Sequence, residues 1–329
     1  MAPEFPVITL PDSDHAALAS SLPQQAQDLL KCGDAMLTAP LVALLDVVTE
    51  RWARNRTIPF RDEISRIASQ LGRRGVWFAN LNYEWGCSAA VLHDAAGKPL
   101  LVRVLDWPFP RLGELAAIVH CQSPAGPWTN ITWPGCIGAL QANAPGRFAA
   151  SINQAPRRSF GLGRYLGLVA GWLYGRKHWL KTQAVPPLLL LRQVMMTAPD
   201  YASALTMLEK TEVAAPVIYT LVGTKPDDYA IIQKSAAGTV VRHARCVTNC
   251  WLDAGLPGDL GSNDAPARLR KLNSSLAAGD NFRWLQPPVL NQDSRLAVEM
   301  SPMQGFVRVQ GWNGTRPVTA VGTFSDPRP

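Results

Sequence analysis

Acidic residues are missing from one long stretch of this 329-residue chain. No Asp or Glu lies between Glu114 and Asp200, whereas Arg147, Arg157, Arg158, Arg164, Arg176, Lys177, Lys181 and Arg192 all do. Residues 1–86 carry 8 Lys/Arg against 10 Asp/Glu, and residues 87–329 carry 24 against 15. A positive field of this kind favours an anionic partner, such as a carboxylate-bearing substrate or a phospholipid surface; the alternative is a basic face that is merely solvated. Nucleic acid is not expected as a partner, because no binding motif accompanies the charge.

Long apolar runs are absent too. The nearest approach, 165–174, is bounded by Arg164 and Arg176 and falls short of the roughly 18 residues a membrane span needs. The start, Met1-Ala2-Pro3-Glu4-Phe5-Pro6, lacks the basic n-region of a secretory signal, so a soluble, cytoplasmic protein is expected. Histidine is scarce: His15, His93, His120, His178 and His243 are the full set, and no papain-like or caspase-like signature surrounds a cysteine. The cysteines (Cys32, Cys87, Cys121, Cys136, Cys246, Cys250) are irregularly spaced. Cys246-x-x-x-Cys250 has no second Cys/His pair to complete a tetrahedral site, so neither metal nor other cofactor is expected. Repeats and low-complexity segments are likewise missing.

What the chain does have is Asn82-Tyr83-Glu84-Trp85-Gly86-Cys87-Ser88-Ala89-Ala90-Val91, followed by Arg103 and Asp106 in Val102-Arg103-Val104-Leu105-Asp106-Trp107. The apolar runs 88–92 and 99–105, joined at a Gly97 turn, read as a β-hairpin. Such a hairpin returns Arg103 and Asp106 beside the cysteine that opens it. A fixed cation beside a thiol favours the thiolate, which is the nucleophile.

The Gly-Cys step with this spacing resembles the N-terminal-nucleophile (Ntn) cysteine hydrolases, in particular the branch that holds choloylglycine hydrolase, acid ceramidase, N-acylethanolamine acid amidase and isopenicillin N acyltransferase. Asn80-Leu81-Asn82-Tyr83-Glu84 is similar to the Asn-x-x-Tyr-Glu signature of the ceramidase and amidase members. The resemblance implies self-cleavage between Gly86 and Cys87, after which the freed α-amino group of Cys87 is the general base for its own side chain. It implies that Arg103 holds the thiolate or the substrate carbonyl and that Asp106 hydrogen-bonds the freed amine. Asn249, in Val247-Thr248-Asn249-Cys250-Trp251, then serves the oxyanion. Asn153 stands where relatives carry an asparagine often followed by Glu-Arg; here Gln154 replaces the Glu. Arg268 or Arg270 supplies a second arginine; on a helix the two face different ways, so at most one reaches the site, and Arg268 is the choice.

The implied fold is α+β, a four-layer αββα sandwich with an acidic, helical leader. Residues 1–86 are a propeptide or α-subunit and 87–329 the catalytic domain, giving an α/β heterodimer after cleavage. Helices are expected over 39–53 and 60–71, then strands at 88–92, 100–105, 115–122, 130–133, 137–141 and 148–152. Helices at 187–196 and 201–208, strands at 217–222, 229–233 and 240–243, and a hairpin of 296–300 with 306–309 complete the pattern. The insert 157–181, rich in Gly, Leu and aromatics with basic edges, reads either as core or lid packing or as an acyl-chain channel touching a membrane surface. Trp107, Trp172 and Trp179 are the candidate substrate contacts. The implied activity is hydrolysis of the linear amide bond of an N-acylated amine; acyl transfer on the same fold, or acyl-lipid binding without processing, are the alternatives.

Overall fold

A computed structural model describes residues 3–81, 86–94, 96–156, 184–258, 264–274 and 281–325. The insert at 157–181, with Trp172 and Trp179, and the Asn82-Tyr83-Glu84 motif lie outside the described residues.

The leader begins with a strand, β1 (Val7–Leu10), and continues as helices α1 (His15–Ser21), α2 (Pro23–Leu37), α3 (Ala39–Arg54), α4 (Arg61–Leu71) and α5 (Val76–Leu81). The expected amphipathic helix is α4: Ile64, Ile67 and Leu71 recur on one face and are buried, and Gly72 ends it in the left-handed region at φ 58°. The strand β1 forms where the sequence predicts no element.

Next come β2 (Gly86–His93), β3 (Pro99–Asp106), α6 (Leu112–Leu115), β4 (Ala117–Cys121), β5 (Trp128–Thr132), β6 (Gln141–Ala144) and β7 (Phe148–Gln154). The strand expected over 137–141 is displaced along the chain. Ile137, Ala139 and Leu140 are buried but form a connection, and the strand is the more polar Gln-Ala-Asn-Ala that follows. Beyond the insert lie α7 (Pro187–Thr197) and α8 (Tyr201–Lys210), then β8 (Val217–Val222), β9 (Tyr229–Ser235), β10 (Gly238–Arg242) and β11 (Cys246–Val247). Asp200 caps α8 by accepting the Ser203 N–H at 2.7 Å. The chain closes with α9 (Ala265–Ser274), β12 (Ser294–Ser301), β13 (Phe306–Asn313), β14 (Arg316–Pro317) and β15 (Gly322–Ser325).

Two sheets result. One runs β1-β4-β5-β6-β7-β8-β9-β10, the other β11-β2-β3-β12-β13-β14 with β15 also paired to β13. The leader strand β1 joins the first sheet in parallel with β4. Between the sheets, Cys87, Val91, Leu101, Leu105 and Met300 of the second pack with Ile118, Ile131, Ala149 and Val222 of the first in one apolar core. Outside the first sheet, Tyr219 Oη donates to Pro187 O in α7, and Lys234 Nζ caps the end of α8 at Leu208 O and Glu209 O. On the second sheet's other face, Leu272 of α9 packs with Ala90, Leu92, Val102 and Val104.

Two arginines of the basic stretch are tied into the fold. Arg147 is not a free surface cation: its guanidinium donates to Met195 O, Ala198 O, Gly126 O and Pro127 O, closing the end of α7. Arg192 is buried and forms a two-point ion pair with Glu63 of the leader, at 2.9 and 2.8 Å. Two of the eight cations therefore hold the fold together.

Candidate active site

Strand pairing builds the site. Cys87 lies opposite Leu105, and Ala89 opposite Arg103, in the β2–β3 ladder. Because side chains alternate along a strand, Cys87 and Arg103 share the face between the sheets, whereas Ser88 and Asp106 share the opposite face. Gly86, opposite Asp106, is already part of β2, so the Gly86–Cys87 junction sits inside a strand.

On the inner face Arg103 Nη2 lies 2.9 Å from Cys87 Sγ and also donates to Ile152 O at 3.0 Å, while Nη1 donates to Gln141 Oε1. On the outer face α9 presents Arg268, fully buried. Its Nη1 reaches Cys87 O at 2.9 Å, Ser88 Oγ at 2.7 Å and Asp106 Oδ2 at 3.1 Å, and its Nη2 reaches Asn249 Oδ1 at 3.0 Å. Arg268, rather than Arg270, is thus the arginine drawn into this cluster. Asp106 also accepts from Ser294 Oγ at 2.8 Å.

Asn249 follows β11, which pairs with β2 at Ala89 and Ala90. Its Oδ1 accepts the Cys87 backbone N–H at 2.7 Å, and its Nδ2 donates to Gln154 O at 2.9 Å. In the uncut chain Asn249 therefore meets the nitrogen that the resemblance assigns to Asp106. Asn153 braces the same segment from β7: its Nδ2 approaches Val247 O and Thr248 O at 3.4 and 3.3 Å, and its buried Oδ1 has no partner among the described residues. Trp107, one step beyond Asp106, is half-buried and meets Phe109 edge-on with ring centroids 4.7 Å apart.

Burial sets the resting protonation. The Cys87 thiol is pushed up to about 11 by desolvation, against the opposing pull of Arg103 and Arg268. Desolvation also raises the Asp106 carboxyl, countered by Arg268 and Ser294, and lowers Arg103. The uncut chain thus holds a protonated thiol against a guanidinium, with its own backbone nitrogen fixed by Asn249. Among the described residues no three His, Cys, Asp or Glu side chains converge as a metal would require.

Gln141, Ser88 and Ser294 touch this cluster without having been singled out in the sequence. Ser88 was legible in principle, as the residue next to the nucleophile on a strand. Gln141 and Ser294 arrive from remote strands and carry no local signal.

No family model matches the chain. It is 27% identical over 188 residues to the N-acylethanolamine-hydrolyzing acid amidase of Rattus norvegicus, an alignment covering 55% of this chain and 48% of the relative. It is 32% identical over 102 residues to the acid ceramidase of Mus musculus, covering 30% of this chain and 23% of that protein. The chain thus spans about half the length of the amidases it matches. A solved Caenorhabditis elegans ortholog of the N-acylethanolamine-hydrolyzing acid amidase superposes with a TM-score of 0.50 at 17% identity, over 66% of this chain and 93% of that one. The chain is thus a distant homologue of N-acylethanolamine-hydrolyzing acid amidase and acid ceramidase.

Proposed function

We propose that the protein is a self-processing Ntn cysteine amidase that hydrolyses the linear amide bond of an N-acylated amine, on a layered αββα fold. The observation that carries this reading is the placement of Cys87. Its sulfur lies 2.9 Å from the Arg103 guanidinium while its backbone nitrogen is held 2.7 Å from Asn249 Oδ1. Sulfur, cation and nitrogen thus converge at a Gly-Cys junction, and that nitrogen becomes a terminal amine only if the junction is cut.

In processing, Cys87 Sγ attacks the Gly86 carbonyl carbon. The C–N bond breaks to leave a thioester, the thiol proton passes to the departing nitrogen, and water then hydrolyses the thioester to a Gly86 carboxylate and a free thiol. In turnover the new α-amine, with an ordinary pKa of roughly 7.7–8.0, takes the thiol proton. The thiolate attacks the substrate carbonyl, the amine leaves with that proton, and water releases the acyl group. Arg103 steadies the anionic sulfur. Arg268 and Asp106 fix the Cys87 backbone from behind, and Asn249 orients the nitrogen and supplies a donor for the oxyanion. Homology to enzymes named for N-acylethanolamine and ceramide supports an N-acyl amide as the substrate class.

Intact mass spectrometry tests this reading. Purified wild type is expected to yield pieces of about 9 and about 26 kDa, in proportion to residues 1–86 and 87–329 of a 35.8 kDa chain, whereas Cys87→Ala stays whole. A wild-type chain that remains full length at both acidic and neutral pH, and releases no amine from N-acyl amides, would remove the proposal and leave acyl-lipid binding in its place.

A further inference from the structure

Arg103 is 1% exposed, yet no carboxylate forms an ion pair with it among the described residues. The acceptors shown for it are Cys87 Sγ, Ile152 O and Gln141 Oε1, none of which carries a formal charge while the thiol is protonated. The nearby acid, Asp106, sits on the opposite face of the hairpin and is engaged by Arg268 and Ser294. An unpaired buried guanidinium is costly to stability.

The surroundings keep that charge unspent. Gln141 lies opposite Ser151 in the β6–β7 ladder, and Ser151 opposite Thr220 in β7–β8, so the three form a row on the face towards Arg103. Asn143 and Asn153 are the next inward residues along β6 and β7. That face of the first sheet therefore carries five polar side chains and no acid, and of the five Gln141 is the one bonded to the guanidinium. The charged groups acting on this pair are Asp106 of β3, with Asp293 beside it, and Arg268 of α9; Glu299 of β12 is turned towards Trp284 and Arg308. Gln141 is also fixed end for end. Its Nε2 donates to Ile131 O at 2.7 Å, which leaves Oε1 to face Arg103.

We propose that Gln141 is a positioning residue that anchors Arg103 through a neutral oxygen, so that the guanidinium's charge stays directed at the Cys87 sulfur. The role rests on the amidase reading of Cys87. A carboxylate at 141 would form a charge-assisted pair with Arg103 and cancel the field at sulfur. An apolar side chain there would leave Nη1 without its acceptor and free the guanidinium to turn away.

The test compares wild type, Gln141→Glu and Gln141→Met in full-length protein of matched processing state. The rate at which iodoacetamide labels the Cys87 peptide is followed against pH by mass spectrometry, with thermal midpoint as control. The expected result for Q141E is a labelling curve displaced upward by at least about one pH unit, a roughly tenfold slower reaction at neutral pH, with the thermal midpoint unchanged or raised. Q141M is expected to move the curve in the same direction by less and to lower the thermal midpoint. A structural glutamine would instead lower stability and leave the curve in place, so an unmoved curve in either variant that folds overturns the proposal. Labelling needs no turnover, so it stands apart from the amidase reading, which Cys87→Ala tests: amide release by that variant would end the amidase reading and leave the labelling comparison intact.

Discussion

At the scale of single residues, the site is a contest between burial and charge around one sulfur. Desolvation favours the neutral thiol, and Arg103 at 2.9 Å opposes it without winning in the uncut chain. The consequence reaches stability. The Cys87 thiol is held at about 11 in the folded chain against an ordinary 9.0, so between those values the folded protein keeps a proton that the unfolded chain has lost. Stability contributed by the buried thiol is therefore complete below pH 9 and falls as pH rises towards 11, by about 2 kcal/mol over the window. Cys136 and Cys246 are raised by burial as well, so the measurement must be a difference. Urea unfolding of uncut wild type and of Cys87→Ala at pH 8 and pH 10.5 isolates it: wild type is expected to lose more stability than the variant. Equal losses would mean that the folded thiol titrates near its ordinary value.

At the scale of elements, the hairpin was the most legible part of the chain. Two apolar runs and a Gly97 turn are local signals, and pairing alone then brings Arg103 diagonally next to Cys87. The helices α4, α7 and α8 were legible for the same reason, through apolar periodicity and caps. Two strands were harder to read, each for a physical cause. The hydrophobic run at 137–140 marks burial rather than strand, while β6 proper is polar because Gln141 and Asn143 face Arg103 and the second sheet. In β1, four residues gain a partner only through parallel pairing with β4, more than a hundred positions away. The tie between α4 and α7 was equally invisible: Glu63 accepts from both Arg192 amino groups and from the His15 N–H at 2.9 Å, with the guanidinium over Phe60. Breaking it on one side leaves a buried charge alone. Glu63→Gln is therefore expected to cost about 3 kcal/mol in urea unfolding, and adding Arg192→Met to recover much of that loss. A double variant no more stable than the single one would show that the pair is not the source of the cost.

At the scale of the whole molecule, the proposed cut at Gly86–Cys87 divides the sequence but not the packing. Residues before the cut supply β1 to the first sheet and share a core with residues after it: Ile64, Ile67, Trp77 and Leu81 of the leader pack with Ile137 and Leu189 of the body. Polar contacts cross the same boundary and are mostly buried. Asn80 accepts the Ile137 N–H at 2.8 Å and donates to Gly135 O at 2.8 Å, Ser13 Oγ donates to Gln122 O at 2.6 Å, and Asn130 meets His15 Nε2 at 2.9 Å. The opposite net charges of leader and body suggest an electrostatic association, yet surface attraction is screened within about 10 Å at 0.1 M salt, and contacts of this buried kind are screened far less. Separation would uncover the apolar cluster and exchange these hydrogen bonds for bonds to water, at a net cost of about 0.5–1.5 kcal/mol each. The two pieces of a processed chain are thus expected to co-elute in size-exclusion chromatography at 1 M salt and to part only in denaturant. A leader that dissociates in salt alone would mean that charge, not the shared core and sheet, holds the halves together.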